Sequence, residues 1–105
     1  MASLPWRVQM TRRAENDLEV IYEFLLMQHS PQTAGRILLG IIQRIDQLAM
    51  FPYAGKIDPN ALATSPLVRY KISGKYKICY RLLEGRVVEV TRILDTRKAP
   101  PTIIA

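Results

Sequence analysis

Residues 68–94 read VRYKISGKYKICYRLLEGRVVEVTRIL, and this stretch decides the fold. Val68, Tyr70 and Ile72 alternate with Arg69 and Lys71; Tyr76, Ile78, Tyr80 and Leu82 alternate with Lys77, Cys79 and Arg81; Val88 and Val90 lead into Arg92 and Leu94. Alternation at period two places successive side chains on opposite faces of a strand. Ser73-Gly74 and Glu84-Gly85 interrupt it, each with a glycine free to take the left-handed backbone of a tight turn. The pattern predicts a three-strand antiparallel meander. A loop Leu83-Glu84-Gly85 puts Tyr80 opposite Val88 and Ile78 opposite Val90, with Lys77 opposite Thr91 and Cys79 opposite Glu89. In that register one face is apolar, and Arg69, Lys71, Lys77 and Arg81 project from the other.

An apolar sheet face needs a cover, and the preceding residues supply it. Trp6, Val8 and Met10 alternate with Arg7 and Gln9, so 5–10 reads as a strand. Thr11 then caps a helix to about Gln28, whose residues Ala14, Leu18, Ile21, Tyr22 and Leu25 recur at helical spacing. Val20, Phe24 and Met27 form a second apolar row, which either packs on the loop of residues 53–66 or offers a surface to a partner. Ser30-Pro31 starts a second helix, with serine as cap and proline where a missing N–H costs little. Ala34, Ile37, Leu38, Ile41, Ile42, Ile45 and Leu48 form its buried stripe, and Pro52 stops it. Residues 52–66 read as loop. The expected fold class is α+β: an N-terminal strand, a two-helix hairpin packed on a small antiparallel sheet, and a C-terminal three-strand meander. We read residues 1–105 as one domain, with 99–105 as a loose tail.

Composition narrows the function. Cys79 is the only cysteine of the 105 residues, which excludes an internal disulfide framework. The N-terminus lacks the apolar stretch of a signal peptide, and no apolar run approaches the ~18–20 residues that span a bilayer. The expectation is a cytoplasmic protein without a membrane segment. Net charge is +6, and it is unevenly placed: residues 1–68 carry six basic and six acidic side chains, whereas 69–98 carry nine basic and three acidic. A positive face favours polyanions or an acidic protein partner. No Gly-rich phosphate loop, metal-ligand cluster or Ser/His/Asp set is legible, so no cofactor or metal is expected. Glu15, Glu19 and Glu23 read as a solvated acidic helix face, and His29 as an exposed or capping residue of the inter-helix turn.

The order of elements carries a set of matching residues: Ala14-x-x-Asp17-Leu18-x-x-Ile21, Ala34 through Leu48, Pro52-x-x-Gly55, Tyr76-Lys77-Ile78-x-Tyr80-Arg81, and Val90-x-Arg92-Ile93-Leu94-x-x-Arg97. Over about residues 6–98 the sequence resembles the RelE/ParE superfamily of bacterial toxins. The resemblance implies a toxin of a type II toxin-antitoxin pair, encoded beside an acidic, partly disordered antitoxin that folds on it. Val20, Phe24 and Met27 are then candidate antitoxin-binding residues.

Two activities divide that superfamily. RelE-like members cut messenger RNA in the ribosome, through attack of a 2′-hydroxyl on the adjacent phosphate, which needs a base, an acid and fixed cations. By resemblance, Lys77 and Arg97 supply the cations. Asp95 and Ile103 stand where nuclease members carry histidine or tyrosine, so the proton-transfer groups are missing; Lys71 or Lys77 would serve as a base only if neighbouring cations lowered its pKa. ParE-like members poison DNA gyrase by binding, and need no catalytic residue. A long hairpin beside a sheet short of acid-base groups resembles that branch, which is the favoured reading. Arg69, Lys71, Lys75, Arg81, Arg92 and Lys98 are its candidate contacts to gyrase or nucleic acid. The ribosome-dependent nuclease is the alternative, and a non-toxic, antitoxin-binding member of the fold is a second one.

Overall fold

The computed structural model describes residues 4–59 and 67–98. In chain order the elements are β1 (Arg7–Met10), α1 (Arg12–Gln28), α2 (Pro31–Gln47), β2 (Lys56–Ile57), β3 (Arg69–Ser73), β4 (Tyr76–Leu83) and β5 (Val87–Asp95). The helix boundaries have local causes. Thr11 keeps an extended backbone and its hydroxyl accepts from the Ala14 N–H at 3.1 Å. Ser30 accepts from the Thr33 N–H at 3.2 Å, with Pro31 as the first helical residue. Only His29 and Ser30 separate the helices, so they form an antiparallel hairpin. Residues 99–105, read as a loose tail, lie outside the described residues.

The strands form one sheet in the order β1-β5-β4-β3-β2. β3, β4 and β5 are the expected meander. β1 is the exception to antiparallel pairing: it runs parallel to β5, Arg7 beside Val87 and Met10 beside Val90, which a long crossover such as the intervening hairpin permits. β2 lies inside the stretch expected as loop and pairs Lys56 with Tyr70 and Ile57 with Arg69. A two-residue strand has no periodicity to read.

The register of the meander departs from expectation. Leu83 pairs with Val87, so the turn is Glu84-Gly85-Arg86, with φ 79 at Gly85 and 60 at Arg86. Tyr80 therefore faces Val90 instead of Val88. A bulge at Cys79/Tyr80 leaves Thr91 as an extra residue, and beyond it Cys79 faces Arg92, Ile78 faces Ile93 and Lys77 faces Leu94. The extra residue reverses the alternation of β5, turning Ile93 inward beside Val88 and Val90.

β3 is also inverted relative to the reading. Tyr70 pairs with Cys79 and Ile72 with Lys77, whereas Arg69 pairs with Tyr80 and Lys71 with Ile78. Directly paired residues share a face. Arg69 and Lys71 therefore stand on the helix side, and Tyr70 and Ile72 share the outer face with Lys77 and Arg81. The hairpin covers the inner face, where Ala14, Ile21 and Leu25 of α1 and Ala34, Ile41 and Ile45 of α2 meet Tyr76, Ile78, Tyr80, Val88, Val90 and Ile93.

Candidate functional site

The cations expected to form a free basic face are mostly engaged. Lys77 Nζ lies 2.8 Å from Asp58, with the two side chains only 18% and 6% exposed, and sits 4.8 Å above the Tyr70 ring. Arg81 pairs with Glu89 at 2.7 Å, and Arg92 with Asp17 at 2.9 Å. Arg97 grips Asp95 through two nitrogens, at 2.9 and 2.6 Å. Arg69 donates to the Gly55 carbonyl at 2.9 Å and stacks over Tyr53. Lys98 sits over the Phe24 ring. The outer face is thus a set of ion pairs, and alternation alone cannot show this because every anionic partner comes from another strand, a helix or the 55–58 loop. A carboxylate facing Lys77 favours its charged form, so the environment proposed for a lysine base is absent there.

Lys77 and Arg97 do not meet. Lys77 belongs to the outer face, whereas Arg97 lines a cleft of about 520 Å³ at the open end of the hairpin, with Phe24, Leu25, Gln28, His29, Arg36, Ile37, Gly40, Ser73, Gly74, Lys75 and Tyr76. His29 caps α1 through its own N–H, which donates to Leu25 O at 2.9 Å, and its ring reaches this cleft. The cleft holds the groups best placed for an anionic ligand. His29 and Arg36 were not legible as members of it, since one lies in a turn and the other on the second helix. Burial pushes the pKa of Tyr76 up, aided by the Asp95 charge, and removes it as a proton donor near neutrality.

Hydrogen bonding to Arg97 holds Asp95 down at about 2, against an ordinary value of 3.8. A depressed carboxylate contributes stability that is complete above its ordinary pKa and lost as the pH falls through the folded value. Arg97→Gln is expected to raise the Asp95 titration toward 3.8 and remove that acid-sensitive component between about pH 4 and 2, read by carboxyl NMR and acid unfolding of both proteins. An unmoved Asp95 titration in the variant would exclude Arg97 as the cause.

Cys79 is 5% exposed, and burial pushes its thiol up to about 11. A thiol this reluctant to ionise is no nucleophile at neutral pH. Iodoacetamide at about pH 8 is expected to label Cys79 only at the rate at which the protein unfolds; labelling as fast as a free thiol would contradict its burial.

The apolar row of α1 is open: Val20 is 62%, Phe24 40% and Met27 82% exposed. Of the two readings of this row, packing on the 53–66 loop does not hold for the described part of that loop. Glu15, Glu19 and Glu23 flank the row as an exposed acidic edge. Among the described residues no helix is long and apolar enough to cross a membrane, and no group of three or more His, Cys, Asp or Glu side chains is arranged to hold a metal.

Comparison with known proteins agrees with this architecture. The family model of the ParE toxin of the type II toxin-antitoxin system, parDE, matches residues 8–100. No curated protein matches the sequence. A chain from a chromosomal ParDE TA system of P. aeruginosa superposes with a TM-score of 0.71 at 22% identity, covering 89% of this chain and 98% of that one. A chain from the RelBE2 toxin-antitoxin complex of Mycobacterium tuberculosis superposes at 0.61, also at 22% identity, covering 87% and 98%.

Proposed function

Because the chain belongs to the ParE toxin family of type II toxin-antitoxin systems, we propose that it arrests growth by binding, as a poison of DNA gyrase held in check by an acidic antitoxin. The observation that favours binding over RNA cleavage is the separation of Lys77 and Arg97, each tied to a carboxylate, Asp58 and Asp95, on different sides of the sheet. Cleavage needs cations converging on one phosphate with a base beside them. The antitoxin is supported by the solved relatives, whose titles name a ParDE TA system and a toxin-antitoxin complex. The exposed row Val20, Phe24 and Met27 is the surface we assign to an apolar helix of that partner.

Inducible expression of the free protein tests this. Growth arrest with trapped gyrase–DNA breaks and intact message is the expected result, relieved by coexpression of the adjoining reading frame. Cleaved message without DNA breaks would overturn it, and unimpeded growth would make the chain a non-toxic member of the fold. One observation favours the nuclease as a second reading: His29 and Arg97 line the same cleft, so an imidazole stands near a cation. In that case His29→Ala abolishes message cleavage, whereas a gyrase poison tolerates it.

A further inference from the structure

With the outer face neutralised by ion pairs, the cations left over gather elsewhere. Arg36 and Arg44 stand at i and i+8 on α2, about 12 Å apart along one helix face with Gly40 midway. Lys75 and Lys71 stand opposite, four residues apart along β3 and its turn, at about 13 Å. Arg36 and Lys75 line the large cleft, while Arg44 and Lys71 line a smaller pocket of about 90 Å³ further along the same helix. Between them the walls close: a Cβ on Gly40 would lie 3.8 Å from Ser73 Oγ. Among the described residues no carboxylate lines either pocket, and both have aliphatic floors, with Leu25 and Ile37 in one and Leu48 in the other.

We propose that this α2–β3 groove is a second docking site for the antitoxin, taking an extended acidic segment whose acids reach Arg36/Lys75 at one end and Arg44/Lys71 at the other. The inference rests on the antitoxin reading above and adds a site that the exposed α1 row does not provide, because Glu15, Glu19 and Glu23 beside that row repel acids. Charge complementarity selects an acidic occupant. The closed middle at Gly40 and Ser73 admits a flat extended chain and excludes a helix. A single-stranded nucleic acid also carries negative charge, yet it binds on exposed aromatic platforms, and here the floors are aliphatic and Tyr76 is buried.

The test uses the full chain and a fluorescein-labelled synthetic peptide that alternates Glu with Leu or Val, followed by anisotropy. Arg36→Glu with Arg44→Glu is compared with Arg12→Glu with Arg13→Glu, which makes the same change in net charge at the exposed start of α1. The groove variant is expected to bind about tenfold or more weakly and the control nearly as wild type. Equal losses in the two variants, or tighter binding of oligothymidylate than of the peptide by the wild type, overturn the proposal. Coexpression separates the two readings. An adjoining-frame antitoxin that neutralises wild type and groove variant alike removes the groove and leaves the antitoxin reading standing. One that neutralises neither removes both.

Discussion

Gly55→Ala is expected to cost about 3–5 kcal/mol of folding stability, from overpacking of ~1–3 kcal/mol, occasionally more, combined with ~1–3 kcal/mol for each buried polar group left unpaired. Gly55 sits where the loop after α2 crosses the sheet. A methyl there would collide with the Tyr80 hydroxyl and lie 2.7 Å from both Tyr70 O and Tyr80 Cε1. Neither obstacle can yield, since one is backbone and the other is a ring with no exposed surface. The same ring ties the loop down: Gly55 N–H donates to the Tyr80 hydroxyl at 2.8 Å, which donates to Pro52 O at 2.8 Å. Tyr80→Phe, which keeps the ring and deletes this link, is expected to cost about 1–3 kcal/mol. Against a total of roughly 5–15 kcal/mol, the glycine variant should be marginally folded at best. Urea unfolding of the two variants checks this. A Gly55→Ala midpoint within error of wild type would show that the loop can move away from Tyr80.

That loop marks where sequence reading stops. Capping chemistry and helical spacing are local, so Thr11, Ser30-Pro31 and the buried stripes of α1 and α2 were legible, as were three strands and their glycine turns. The bulge that leaves Thr91 unpaired was not, because Val88, Val90, Arg92 and Leu94 keep a consistent alternation on paper while the strand itself changes phase. The face of β3 was misread for a related reason. Tyr70 and Ile72 are the more apolar residues, yet the pairing set by the Gly74 turn, at φ 57, sends them outward and Arg69 and Lys71 toward α2. The site suffered most. Arg97 and His29 meet through the tertiary fold, and Lys77, Arg81 and Arg92 found partners 19, 8 and 75 residues away. The one local signal overlooked was Arg36-x-x-x-Gly40-x-x-x-Arg44, whose spacing puts both guanidiniums on one side of a helix.

The second large effect concerns Asp17, which fastens α1 to the strand beyond the bulge. Its carboxylate accepts from Arg92 Nε at 2.9 Å, from the second Arg92 nitrogen at 3.3 Å and from the Ile93 N–H at 2.9 Å. Breaking a buried pair by removing one partner costs ~3–5 kcal/mol. Arg92 is a quarter exposed and water recovers part of that, so Asp17→Ala is expected to cost about 2–3 kcal/mol. Asp17→Asn keeps an acceptor for the Ile93 N–H and should lose less. Arg92→Ala should cost less still, since Asp17 retains that N–H and gains access to solvent. This ordering also decides what Arg92 does. As a contact to the toxin's target, its removal would abolish growth arrest while most of the protein stayed folded. As the clamp that the geometry describes, Arg92→Ala should reduce growth arrest only in proportion to the folded fraction, measured by thermal unfolding and growth of the same strain. Full loss of toxicity in a well-folded Arg92→Ala protein would return this residue to the binding surface and leave Asp17 as the group that positions it.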